Sequence, residues 1–254
     1  MRIRLTAALA FVVIKAALAT TIVVAIASNR IILGADSLYT YEDDKSRHGL
    51  VCKIESEHGI AVASTGVIFI QDEVLNSLQK RTLDTIQITK RALHGATDVI
   101  DAADKFVPLF REPLLAILEA EKVKSPDTYR SRGTRSLLTT VFAGFHDGKP
   151  MVVVQNFFLS PPKISYNRTF LTDKPGNNFM AYGEADAIQQ QLKVPGWTTT
   201  NPIELVTKSL NLEIERDPQF VGGPLSIIEL WEKEYRWIEG GLCADKVRQE
   251  FLKP

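Results

Sequence analysis

Apolar and polar positions alternate in blocks along this chain, and the blocks predict its elements. Thr21-Ile26 and Ile31-Ala35 are apolar and β-branched, split by Ala27-Ser28-Asn29-Arg30. That pattern predicts a hairpin of two buried strands. Leu50-Ile54 and Gly59-Ser64 read as two further strands, separated by the polar Glu55-Ser56-Glu57-His58, and Tyr41-Gly49 reads as an exposed loop. From Gln71 to Lys122 the spacing turns helical, with Val74, Leu75, Leu78, Ile86, Ile88 and Leu93 as its apolar positions. Gly95, Pro108 and Pro113 interrupt that region, so two or three helices are expected.

Lys124-Arg135 is polar, contains Pro126 and Gly133, and reads as a loop. Leu137-Phe145 and Met151-Phe158 flank His146-Asp147-Gly148-Lys149, whose Asp-Gly pair signals a hairpin turn. Asn201-Pro202 opens a helix in cap-then-proline order, running to about Arg216. Gly222-Gly223 precedes a last strand, Leu225-Leu230. Blocks of helices beside antiparallel hairpins predict layered α+β packing with the helices outside the sheets. No repeat, low-complexity tract or linker interrupts the chain, so one domain is expected.

The first 19 residues differ from the rest. Arg2 and Arg4 make a basic start, Leu5 to Ile14 carry no charge, and Ala17-Leu18-Ala19 is a small-residue cleavage site. This is the three-part pattern of a secretory signal, with an apolar run too short for a membrane anchor. Residues 1-19 are therefore expected to be a signal peptide, and 20-254 a single mature domain in the periplasm or secreted. The 254-residue chain less 19 leaves 235, enough for one substantial core. Arg2, Arg4 and Lys15 leave with the signal and no acid does, so 30 basic residues fall to 27 against 30 acidic ones. That balance gives no polybasic stripe for nucleic acid or membrane. His48, His58, His94 and His146 form no ligand-spaced set, and no phosphate-binding loop is present. No metal, cofactor or nucleotide is expected. Cys52 and Cys243 either pair in an oxidising compartment or remain two buried thiols; the sequence leaves both open.

Cleavage after Ala19 would make Thr20 the first residue of the mature chain. A threonine with a free α-amine carries a nucleophile and its own base on adjacent carbons. The residues that follow extend this. Thr20-Thr21-Ile22-Val23-Val24-Ala25-Ile26, then Ile31-Ile32-Leu33-Gly34-Ala35-Asp36-Ser37, resembles the start of a mature proteasome β-type subunit. Val51-Cys52-Lys53-Ile54 resembles that family's lysine strand, and Ala63-Ser64-Thr65-Gly66 its strand ending in an oxyanion-hole glycine. Two later segments resemble it more thinly. Tyr182-Gly183-Glu184 resembles the Ser-Gly turn before the third helix, without the serine. Arg216-Asp217-Pro218-Gln219-Phe220-Val221-Gly222-Gly223 resembles the Arg-Asp-x-x-Ser-Gly-Gly segment, with Val221 where the serine stands.

The resemblance implies an αββα sandwich of the N-terminal nucleophile hydrolase type, threonine-dependent amide hydrolysis, and assembly into homo-oligomers. It assigns Thr20 as nucleophile, Lys53 as the charge that favours the alkoxide, Asp36 as the holder of Lys53, and Gly66 N–H as oxyanion donor. Asp217 would orient the new N-terminus, and Tyr39, Val51 and Ser64 are candidates for the specificity pocket. The expected substrates are peptides or small amides; an inactive assembly or binding subunit is the non-enzymatic alternative. Cys52, beside Lys53 on an alternating strand, is expected to point to the opposite face and into the core.

Overall fold

The computed structural model describes residues 20–40, 48–66, 69–70, 83–124, 126–131, 135–160, 163–174, 176, 178–197 and 201–244. In chain order these form β1 (Thr21–Ala27), β2 (Arg30–Ala35), β3 (Leu38–Thr40), β4 (His48–Leu50), β5 (Ile54–Glu57), β6 (Ile60–Gly66), β7 (Phe69–Ile70) and β8 (Leu83–Asp84). Three helices follow, α1 (Thr85–Leu93), α2 (Val99–Lys124) and α3 (Pro126–Ser131). Then come β9 (Arg135–His146), β10 (Lys149–Ser160), β11 (Lys163–Leu171), β12 (Phe179–Gly183), α4 (Asp186–Gln191), α5 (Pro202–Arg216), β13 (Ser226–Leu230) and β14 (Tyr235–Glu239). The putting together of signal and cleavage site, residues 1–19, lies outside the described residues, as do the helical positions Val74, Leu75 and Leu78.

Two five-stranded antiparallel sheets organise the chain, in the orders β12-β1-β2-β13-β14 and β11-β10-β9-β6-β5. The continuous apolar run of β1 follows from burial on both of its faces. Ile22, Val24 and Ile26 meet Ala61, Ala63, Val141 and Val154 of the other sheet. Val23 and Ala25, one step out of phase, pack against Leu205, Val206 and Leu210 of α5. The second sheet divides the same way: Val62, Phe142, Val153 and Phe157 face Phe106 and Phe110 of α2. Phe110 and Phe157 stand 4.8 Å apart between ring centres, and Phe106 meets Phe142 edge-on at 5.5 Å.

The elements read from the sequence are found with specific corrections. The β1–β2 and β9–β10 hairpins form, and α5 begins at Pro202 with Asn201 as its cap and ends at Arg216. Leu50-Ile54 is not a strand; residues 48–50 pair with β3, and the next strand is Ile54–Glu57. The turn is His58-Gly59, both left-handed (φ 48° and 77°), which closes a two-residue hairpin. The polar Glu55-Ser56-Glu57 misleads because β5 is the edge of its sheet. The expected breaks at Pro108 and Pro113 do not occur, and α2 runs through both. Each proline lies on the exposed face, where water can satisfy the carbonyl its ring leaves free. The polar stretch after Lys124 contains the short helix α3. Strands β11, β12 and β14 were not foreseen, and all three are sheet edges.

One surface contact ties helix to hairpin. Asp98 Oδ1 accepts the N–H groups of Ile100 and Asp101, both at 2.8 Å, capping α2. Its other oxygen meets His146 Nδ1 at 2.8 Å, at the end of β9. That bond raises the His146 pKa above its ordinary value. A raised folded-state pKa stabilises below the unfolded value, about 6.5, and the contribution disappears as pH rises through the folded pKa. Urea midpoints of wild type and His146→Gln should therefore differ most between about pH 5 and 6.5 and converge in alkaline buffer. A gap that stays constant with pH would show that the bond contributes nothing through protonation.

Candidate active site

The amino end of β1 is held from three directions. Thr20 carbonyl accepts the Glu184 N–H at 3.0 Å and the Thr65 hydroxyl at 3.4 Å. Thr21 N–H donates to Asp36 Oδ1 at 2.9 Å, and Thr21 Oγ1 donates to the Glu184 carbonyl. Pairing of Thr21 with Gly183 brings β12 alongside. Gly183 sits at φ +81°, and a Cβ there would stand 1.7 Å from the Thr20 carbonyl oxygen. Only glycine fits this approach.

Asp36 follows β2 and reaches the start of β1 because Ile22 pairs with Ala35. Its carboxylate accepts four hydrogen bonds. Oδ1 takes Thr21 N–H and Lys53 Nζ, the latter at 3.0 Å; Oδ2 takes Leu38 N–H at 3.1 Å and Gly222 N–H at 3.2 Å. Lys53 Nζ also donates to the Leu38 carbonyl. Both side chains are completely buried. Burial is the largest influence on each: it pushes the Asp36 carboxyl up and the Lys53 ammonium down from their ordinary values. Their mutual attraction and the N–H groups of Thr21 and Gly222 oppose these shifts. An ammonium so placed gives up a proton more readily than one in water, and its charge acts in a weakly screening interior.

The remaining candidates fall at different distances from this centre. Gly66 ends β6 at φ +111°, directly after Thr65, whose hydroxyl touches Thr20; a Cβ at Gly66 would stand 2.4 Å from the Leu137 carbonyl oxygen. Asp217 closes α5, and its carbonyl accepts Phe220 and Val221 N–H. Its negative charge helps to raise the Glu184 carboxyl above its ordinary value. Val51 N–H bonds the Ser37 carbonyl at 3.0 Å. Ser64 meets Thr140 Oγ1 at 3.5 Å and shares a small cavity with Lys53, Thr85 and Thr89. Tyr39 is on β3; its side chain is outside the described residues.

Four contributors escaped the sequence reading: Thr65, Gly183, Glu184 and Gly222. Gly183 and Gly222 stand in glycine turns that were noticed, but only the register shows that one touches Thr20 and the other Asp36. Cys52 is buried among the residues between the sheets and is bonded to Cys243, with Cα atoms 4.9 Å apart. The open choice between pairing and free thiols is thus resolved as pairing. The disulfide fixes the backbone immediately before Lys53.

Neither a protein-family model nor a curated protein matches this chain. Among solved structures, a Gly-1 mutant of Anbu from Hyphomicrobium sp. strain MC1 is similar, with a TM-score of 0.50 and 14% identity over 92% of this chain and 97% of that one. At that identity the likeness is one of fold. The chain has a mixed α/β fold of two antiparallel sheets with flanking helices, similar to that of Anbu.

Removing one member of a buried ion pair leaves the other's charge uncompensated, at a cost of about 3–5 kcal/mol. Lys53→Met should lower unfolding free energy by about that amount, and Asp36→Asn similarly. The double variant should be less destabilised than the sum of the singles, as read by urea denaturation of all four proteins. Strict additivity would mean that the two charges are not coupled.

Proposed function

We propose that this chain is the precursor of an exported threonine-type amide hydrolase, most simply a peptidase, in which Thr20 becomes the nucleophile once residues 1–19 are removed. The observation that carries the reading is the buried Asp36 carboxylate, which binds the N–H next to Thr20 and the Lys53 ammonium with the same oxygen. Such a pair is a poor stabiliser of a fold compared with apolar side chains of similar size. Under a nucleophile it has a use, since a fixed positive charge favours a developing alkoxide. The Ala17-x-Ala19 site abutting Thr20 and the proteasome-like fold support the same reading.

In the proposed reaction every proton transfer passes through the Thr20 α-amine. Thr20 Oγ attacks the substrate carbonyl carbon as its proton passes to the Thr20 α-amine, whose reference pKa is about 7.7–8.0. Lys53 stabilises the oxygen losing that proton, and Asp36 holds Lys53. Gly66 N–H receives the oxyanion, a donor whose removal typically costs ~2.7–4 kcal/mol. The tetrahedral carbon then expels the amine half of the amide, which takes the proton back from the ammonium and leaves an ester on Thr20. Water attacks that ester as one of its protons moves to the α-amine; the tetrahedral carbon then expels Thr20 Oγ, which takes that proton back as the acid leaves. Asp217 orients the N-terminus, and Val51, Ser64 and Tyr39 line the substrate side. The helices and sheets are read as a four-layer αββα sandwich forming one domain. The Cys52–Cys243 disulfide supports an oxidising compartment, periplasmic or extracellular.

One observation favours a silent binding subunit instead: Val221, where the proteasome β pattern has serine, is fully buried and offers no hydroxyl. Maturation and labelling separate the two. The exported protein should begin Thr-Thr-Ile-Val by N-terminal sequencing. It should then gain one adduct mass with an epoxyketone, which needs both hydroxyl and free amine. Uncleaved precursor and Thr20→Ala should gain none, while Thr20→Ser keeps part of the activity. A start beyond Thr20 would end the threonine mechanism. A confirmed Thr20 start with neither adduct nor turnover on peptide and amide panels would favour the binding subunit.

The proteasome-like fold and its long helical block also support self-association of the mature chain. Light scattering should report a mass several times that of one chain, and a monomer at every concentration would overturn this.

A further inference from the structure

The turn after β12 clasps the start of β1 with both backbone groups of one residue. Glu184 donates its N–H to the Thr20 carbonyl and accepts the Thr21 hydroxyl on its own carbonyl. Continuing the register from Thr21–Gly183 makes Glu184 the residue opposite Thr20. The clasp cannot slide, because the Gly183 Cα already lies against the Thr20 carbonyl. The Glu184 backbone is therefore fixed directly opposite Thr20.

The charges around that side chain are unbalanced. From α4 comes Asp186, and from α5 come Glu213 and Asp217. Glu213 is already used, accepting Ile188 N–H at 2.7 Å, and Arg216 acts on Glu213. On the far side of Thr20, Lys53 is bonded to Asp36. Among the described residues, neither the Glu184 nor the Asp217 carboxylate has a hydrogen-bond or ion-pair partner. Partial burial, then Asp217, Asp186 and Glu213, push the Glu184 carboxyl above its ordinary range. A single added cation would relieve all of this. Removal of residues 1–19 creates one, since the Thr20 nitrogen changes from an amide to an ammonium.

We infer that Glu184 is the positioning residue for the α-ammonium of processed Thr20, with Asp217 as its second carboxylate. The inference rests on the proposed cleavage before Thr20. It gives this chain a replacement for the hydroxyls missing at positions 182 and 221. The carboxylate orients the amine lone pair toward Thr20 Oγ and, by favouring the charged form, raises the pH at which the amine becomes a base.

The mature protein tests this by two routes. The acid limb of kcat/KM reports the free amine. Glu184→Gln keeps size and backbone contacts but removes the charge, so that limb should move toward acid by about one pH unit. The plateau should fall severalfold as the amine loses its holder. Glu184→Asp keeps the charge and should leave the limb near the wild-type position while lowering the plateau. Independently of turnover, nitrogen-15 NMR titration of labelled Thr20 should show the amine pKa lowered in Glu184→Gln. An unchanged amine pKa in Glu184→Gln overturns the inference even if wild type is active. Wild type that neither turns over nor forms an adduct defeats the hydrolase reading alone, and the amine titration still decides the role of Glu184.

Discussion

Everything near Thr20 depends on one carboxylate kept out of water. Asp36 gathers the beginning of β1, the segment after β2, Lys53, and the glycine turn that leads to β13. These pieces come from four places in the sequence. A carboxylate with four donors is a stringent condition. Each donor must arrive at hydrogen-bond distance, about 2.7–3.2 Å, or a buried charge is left short of a partner. The surrounding sheets meet that condition because they are rigid on both faces, with apolar clusters on either side of each. The core therefore serves the pair, rather than the pair serving the core.

Much of this was legible in the sequence, and the misses have a common cause. Strands buried on both faces, such as β1, β2, β9 and β10, announce themselves by unbroken apolar runs. The four sheet-edge strands, β5, β11, β12 and β14, do not. An edge strand packs less and carries polar residues that discourage pairing with other chains, so its composition imitates a loop. Glu55, Arg168 and Arg236 are examples of polar residues on edge strands, and the stretch beginning at Glu55 reads as a connection between strands. The prolines of α2 erred in the opposite direction, because a proline's cost depends on which face it occupies, and single positions do not disclose the face.

The site divides along similar lines. Thr20, Asp36 and Lys53 could be singled out because they stand where the family pattern the sequence resembles has its side chains. Gly183, Gly222 and Glu184 act through main-chain groups, and a main-chain donor has no signature in a list of residue types. Register alone decides which N–H meets which oxygen. The Cys52–Cys243 bond was likewise invisible in principle, since two cysteines are compatible with either state until their separation in space is known.

That bond joins positions 191 residues apart, one near the front of the described chain and one near its end. Cys243 is synthesised 191 residues after Cys52, and Gly222 and β13, which complete the surroundings of Asp36, come only slightly earlier than Cys243. The backbone before Lys53 cannot be tethered until Cys243 has been made, nor Asp36 fully enclosed until Gly222 has. Assembly of the charged centre is thus timed by the separation of these segments along the polypeptide. A partly made or truncated chain holds every side chain of the front half and still lacks the environment in which they act, a delay written into the topology.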